Sequence, residues 1–358
     1  MEPITHLMTG ACLARAGCNR KAAYATLAMV IAAEFPDLDV LWAIDGPIAG
    51  FQHHRGWTHT FLGIPFQAAF LVAAIYLVHR WRTRRTQPSA PPPAAPVRWG
   101  LLFLFTLLSL ASHLLLDWTN NYGLRPFFPF NPRWYAGSFV FIVEPVLLFL
   151  LTVALIAPSL FALINSEVGA RRQPFRGRGW AIAALLGTVC LWSLRYYEHA
   201  QAITLAQNAD YTQPDGSTPP IARTFASPYP INPFRWATVA ELPLTYQLAT
   251  ADTLHDTLTT THADSIFKPP TTLATLVAKR SWLGEVYLDW SSWPLVSENP
   301  RDPNTDPSAP TIVTFSDLRF MYGTSLLPKR DLPPLSATVY LNADRRVIRM
   351  DMDGRTQH

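Results

Sequence analysis

The residues best suited to chemistry fall in a few short stretches. In "SHLLLDWTNNYG" His113 and Asp117 are four residues apart. On a helix both project from one face, about 6 Å apart along the axis. Such a pair can share one metal ion or bind two neighbouring ones. In "EFPDLD" Asp37 and Asp39 follow Pro36, which biases Phe35 away from helix, so the carboxylates belong where a helix unwinds and can turn inward. In "HHRGWTHT" His54 and His59 flank Gly56, which permits a tight turn, and Thr58 could cap the helix that follows. Histidine and carboxylate together suit zinc, with manganese or iron as further options, and four or more such groups can hold a dinuclear centre. Such a centre activates water near neutral pH and polarises a phosphoryl or carbonyl oxygen, the logic of metal-assisted hydrolysis.

Each residue also has a plainer reading. His53 suits an interfacial hydrogen bond, and His79, beside a basic cluster, suits the membrane interface. Asp39 could cap a helix. Glu144, in "FIVEPVLLF", could pair with Arg55 or Arg125 or belong to the site. Arg55 could clamp an anionic substrate group or neutralise carboxylates. His113 differs, because an ionisable group inside an apolar span is costly and marks function by default.

The elements that must position these groups are apolar helices. Of 358 residues, 49% are hydrophobic and 15% charged, which points to a membrane protein. Near-uncharged runs at 60–78, 99–116, 145–165 and 180–194 approach the ~20 residues that cross a bilayer core, the last with Tyr196 and Tyr197 as interfacial anchors. Residues 4–17 and 22–35 read as a helical hairpin joined by the turn-like "AGCNRK". Arg15, Arg20 and Lys21, then Arg80, Arg82, Arg84, Arg85 and Arg98, then Arg171, Arg172, Arg176 and Arg178 form three basic clusters on one side, cytoplasmic by the positive-inside rule. The metal-type residues all fall at the other end. "PSAPPPAAP" reads as an extended spacer. The net charge of +4 lies in these clusters without interleaved aromatics, which argues against nucleic-acid binding. Cys12, Cys18 and Cys190 lack metal or redox spacing and read as packing residues, and no removable signal peptide is apparent.

From residue 200 the chain turns polar and rich in Pro, Thr and Asp, so the expected division is a helical membrane domain over 1–199 and a β-rich soluble domain over 200–358. "EVYLDWSSW", "TIVTFSDLRFMY" and "SATVYLNADRRVIRMDMDG" read as strands of a mostly antiparallel sheet, the last a hairpin turning at "NADR". The topology places this domain outside the cytoplasmic membrane, with a protein partner that the sequence does not name.

"ITHLMTG", "PDLD", "HHRGWTHT" and "SHLLLDWTNNYGLRPFFPF", in that order, resemble the YdjM-like family of bacterial inner-membrane proteins, described as predicted membrane-bound metal-dependent hydrolases. The resemblance covers roughly residues 1–200. It implies a metal site of His6, Asp37, Asp39, His54, His59, His113 and Asp117, with Asn120, Asn121 and Gly123 shaping the adjoining loop. The order of ligands is also similar to that of zinc-dependent phospholipase C enzymes. The doubled His53 and His54 depart from a single motif histidine, and His54 is favoured because it begins "HRGWTH". Together these readings give a membrane hydrolase acting on an ester or phosphoester of a lipid or lipid-linked substrate. His6, Asp37, His54, His59, His113 and Asp117 hold one or two ions, with zinc the metal that the donors favour; Asp39 or Glu144 handles the proton, and Arg55 meets the substrate. The alternative is a non-catalytic protein in which the cluster only holds the helices together.

Overall fold

The computed structural model describes residues 1–85, 94–167, 175–212, 216–260, 264–299, 309–323 and 332–357. Residues 88–93 of the proline-rich stretch, together with Arg171 and Arg172, lie outside the described residues. The chain divides into two compact units, one of Met1–Asp39 and Arg55–Leu194, the other of Val40–His54 and Arg195–His358.

The first unit opens with α1 (Pro3–Leu13), a π-helical turn (Ala14–Cys18) and α2 (Asn19–Lys21), then α3 (Ala25–Glu34). The turn expected over "AGCNRK" is thus helical, and the chain reverses just after it, at Ala22–Tyr24, where Tyr24 takes the left-handed conformation. A 3-10 helix (Phe35–Asp45) follows α3 directly, so the helix does unwind at Pro36. After α4 (Pro47–His53), which belongs to the second unit, and a 3-10 turn (Trp57–His59) come α5 (Gly63–Arg85), α6 (Trp99–Thr119), α7 (Pro145–Glu167) and α8 (Arg178–Asn208), the last running on into the second unit. Thr60 rather than Thr58 caps α5, its hydroxyl accepting from Gly63 N at 2.8 Å.

Among the described residues four helices are long and apolar enough to cross a membrane: Gly63–Arg85, Trp99–Thr119, Pro145–Ala162 and Arg178–Asn208. The fourth runs well past Leu194. Lipid tails are as apolar as leucine, so such helices associate through close packing of small residues rather than hydrophobic burial. That is how α1, α3 and α6 meet. Ala25, Ala28, Met29, Ala32 and Ala33 of α3 are buried. A Cβ built on Gly10 of α1 would stand 2.5 Å from Met29 O and 2.7 Å from Ala33 Cβ, which only glycine avoids. Ser109 Oγ of α6 donates to the same Met29 carbonyl at 2.6 Å. At the basic end, Tyr24 Oη and His79 Nδ1 lie 2.9 Å apart, and Trp99 packs edge-on against the His79 ring.

In the second unit, two antiparallel sheets carry the β-rich region. One has β1 (Arg223–Pro228), β2 (Arg235–Glu241), β3 (Thr245–Asp252) and β4 (Thr257–Thr259) in order, with β5 (Ser265–Phe267) also on β3. After α9 (Leu273–Lys279) and α10 (Trp282–Trp290), the other orders β6 (Pro294–Glu298), β7 (Thr311–Asp317), β8 (Ala337–Leu341), β9 (Val347–Met352) and β10 (Arg355–Thr356) as β10-β9-β8-β7-β6. The hairpin at "NADR" is present as β8–β9, closed by Asn342 N donating to Arg346 O at 3.0 Å. "EVYLDWSSW" is corrected: its first six residues belong to α10. Ser281 caps that helix, and the buried Leu283, Tyr287 and Trp290 are spaced four and three apart, the period of a helix face.

Asp317, at the end of β7, is buried and accepts from Arg319 Nε at 2.9 Å and Arg319 Nη2 at 2.8 Å, and from Ser291 Oγ at 2.5 Å. Burial alone would raise its pKa, but the Arg319 guanidinium and these donors hold it below the ordinary carboxylate value. A carboxylate depressed in the folded state contributes its full stability above the unfolded pKa of about 3.9 and loses it as pH falls further. Asp317→Ala should therefore destabilise this unit by about 3 kcal/mol at pH 7, measured by denaturant unfolding, because it strands a buried arginine. The difference from wild type should shrink below about pH 4.

Candidate metal centre

Four side chains from three parts of the first unit converge: Asp37 from the 3-10 helix after α3, His59 from the turn before α5, and His113 and Asp117 from the last turns of α6. One ligand atom from each lies within 4.8 Å of every other. His59 Nε2 is 3.0 Å from His113 Nε2, 3.2 Å from Asp37 Oδ1 and 3.3 Å from Asp117 Oδ2. His113 Nε2 is 3.6 Å from Asp37 Oδ1 and 3.4 Å from Asp117 Oδ2. A tetrahedral ion with ligand bonds of about 2.0–2.1 Å has edges of about 3.3–3.4 Å. The donor set therefore fits a cation.

The surrounding contacts fix which ring nitrogens face inward. His113 Nδ1 is 2.7 Å from Ala33 O, and a carbonyl can only accept, so Nδ1 carries a proton and Nε2 is the nitrogen that faces the cluster. Asp39 Oδ2 lies 3.2 Å from His59 Nδ1 and takes the same role for that ring. The same oxygen accepts from Arg55 N at 2.7 Å and Thr58 Oγ1 at 3.2 Å. On the outer side, Asp117 Oδ1 accepts from Arg55 Nη2 at 2.7 Å and from the α-amino group of Met1. Arg55 also donates to Gly123 O at 2.8 Å and lies over the Tyr122 ring, so it holds the loop after α6 to the site. Arg55 thus has the carboxylate partner that the neutralising role requires. Burial opposes a charge on His59, yet its contacts with Asp117, Asp37 and Asp39 push its pKa up to about 10. Burial raises Asp37, but hydrogen bonds from His113 and His59 hold it below the usual carboxylate range.

His6 borders the four. Its ring stacks on His113 with centroids 3.9 Å apart, and its Nε2 is 3.4 Å from Asp117 Oδ1. His54 is not brought into the set: it ends α4, and Arg55, at φ +54°, turns the chain so that His59 enters instead. Glu144 caps α7, where Val146 N donates to its Oε1 at 3.4 Å. Asn120 Oδ1 accepts from Tyr122 N at 2.9 Å and shapes the loop after α6. Sequence reasoning passed over Glu34, the last residue of α3. Its Oε2 is buried without a hydrogen bond among the described residues, and burial, then Asp37, push its pKa up to about 7. The available signal was a carboxyl group one helical turn before Asp37.

Fold and site define a helical membrane protein with a buried His/Asp cluster able to hold a metal ion. The chain belongs to the YdjM inner membrane protein family, whose model matches residues 1–202, the helical part and all four cluster residues. It is also similar to the Bacillus subtilis (strain 168) protein named "Uncharacterized protein YfhP", 26% identical over 153 residues, 40% of this chain and 42% of that protein. The chain thus spans well under half the length of that relative. No solved structure matches it.

Elemental analysis of the detergent-purified protein should find bound metal in the wild type and in His53→Ala, whose ring stacks on Trp42 at 4.4 Å. His54→Ala should retain it as well. His59→Ala and His113→Ala should each lose it.

Proposed function

We propose that this protein is a metal-dependent hydrolase of the bacterial cytoplasmic membrane, acting on an ester or phosphoester of a lipid or lipid-linked substrate. The observation that carries the reading is the pair of imidazole Nε2 atoms 3.0 Å apart, flanked by the Asp37 and Asp117 carboxylates. Structural zinc sites are built mainly from cysteine, whereas mixed histidine and carboxylate shells belong to catalytic ones. The nitrogen and oxygen donors suit zinc, with manganese and iron as further candidates. When bound, the ion supplies Lewis-acid polarisation of the scissile group and activation of water near neutral pH. Asp37, His59, His113 and Asp117 would hold it, with His6 beside them. Asp39 orients His59, and Arg55 balances Asp117. Glu34, outside the four, is the carboxyl group we assign to hold a proton at Oε2 and pass it during turnover.

The lipid assignment rests on placement. The cluster lies at the end of α5 and α6 opposite Arg82, Arg84, Arg85 and Arg98. Exposed aromatics collect at the cluster's end: Trp57 is 56% exposed and Phe130 84%, with Phe61 and Phe127 packed together at 5.4 Å. Such rings favour the level of lipid headgroups. By the positive-inside rule this end faces away from the cytoplasm, and we place residues 200–358 on the same side. One observation favours a second reading, a metal that only ties the helices together: four protein ligands can close a tetrahedral shell, and of the four only Asp37 has a solvent-exposed side chain, at 20%.

The two readings separate on the metal-loaded protein with phospholipids as substrates. Hydrolysis should be abolished in His113→Ala. In Glu34→Gln it should fall by about 10²-fold in kcat, with metal content unchanged. Stoichiometric metal that raises thermal stability, with no turnover of phospholipids, other lipid esters or lipid-linked phosphoesters, would select the structural reading.

A further inference from the structure

Residues 40–54 leave the helical unit between two residues of the metal centre. The chain exits after Asp39 and returns at Arg55, and the neck is closed by Arg55 N donating to Asp39 Oδ2 at 2.7 Å. Both neck residues hold members of the cluster: Asp39 Oδ2 is 3.2 Å from His59 Nδ1, and Arg55 Nη2 is 2.7 Å from Asp117 Oδ1. The excursion itself is gripped by the C-terminal unit. Phe51 stacks on Tyr287 at 6.2 Å and meets Trp290 edge-on at 5.1 Å, both residues of α10. Trp282 Nε1 donates to Gln52 Oε1 at 2.9 Å. From the far end of the chain, Gln357 donates through Nε2 to Asp45 O at 3.0 Å and accepts from Ile48 N at 3.1 Å. Gly46, at φ +108°, leaves the space that this amide fills. Ile48 is fully buried.

We propose that residues 195–358 act as a clamp on the metal centre: by holding 40–54 in one shape they keep Asp39 and Arg55 together and so set the orientation of His59 and the charge balance of Asp117. This gives the C-terminal unit a task in the chemistry of the helical unit. Phe51 and Gln357 are then positioning residues, acting through Asp39 and Arg55. The effect on metal binding rests on the ligand assignment above, whereas the closing of the neck does not.

The test uses the full-length protein in detergent and the variants Phe51→Ala, Phe51→Tyr and Gln357→Ala. Hydrogen exchange is followed in peptides covering residues 47–53, 55–59 and the β7–β8 strands, with cobalt(II) affinity and visible spectrum as a second readout. Phe51→Ala and Gln357→Ala should speed exchange about tenfold in both 47–53 and 55–59 with β7–β8 still protected. They should weaken cobalt binding about tenfold or more and alter its spectrum. Phe51→Tyr, which keeps the ring, should resemble wild type. Gln357→Ala removes only hydrogen bonds and decides the matter if Phe51→Ala exposes β7–β8. Faster exchange at 47–53 with 55–59 as in wild type would overturn the clamp. Failure of the wild type to bind cobalt would instead refute the ligand assignment, and the exchange result would still judge the clamp.

Discussion

Two imidazole Nε2 atoms 3.0 Å apart inside an apolar bundle need a proton or a cation between them. The Ala33 carbonyl claims the Nδ1 proton of His113, and His59 Nδ1 lies between Asp39 and the Thr58 hydroxyl. Two carboxylates add negative charge at the same point, and α3 and α6 both direct their C-terminal ends, the negative ends of their dipoles, toward it. The arrangement thus favours added positive charge and could hold a metal ion, and the helices around it present that demand in one place. Arg55 answers part of it from the outer side of Asp117.

Meeting the demand requires backbones to come close. The Ala33 carbonyl reaches His113 only because α3 and α6 are separated by alanines and a serine, and α1 reaches α3 only because Gly10 has no side chain. In lipid this packing is itself the cohesive force. The same residues therefore hold the bundle together and aim the ligands, a dual use that leaves little slack in the distances.

Much of this could be read from the sequence, for reasons that can be named. The four spans follow from length and hydropathy, and His113 with Asp117 from a spacing of four on a helix. Asp37 follows from a proline that ends α3. What could not be read depends on directions in space. His54 and His59 are equally plausible by type, and only the left-handed backbone of Arg55 separates them. Asp39 and Asp37 differ by two residues, yet one faces the cluster and the other supports a ring from behind. Glu34 carries no motif. Aromatic and β-branched residues in "EVYLDWSSW" suggested a strand, while the cap that starts α10 lies four residues upstream of that window. Nothing local in "DVLWAIDGPIAG" indicates that Asp45 and Ile48 bond to Gln357, 312 and 309 positions later.

Gly10 lies four residues after His6, on the same face of α1, and sits against the carbonyl of Met29 that also binds Ser109. A single added methyl there would lift α1 from α3 and carry the His6 ring away from His113. The residue that sets the depth of that ring thus has no side chain, no charge and no contact with any ligand. A genetic screen for loss of function in this protein would return hits along an inert-looking stripe of glycine, alanine and serine, and a catalogue of reactive side chains would leave them unexplained.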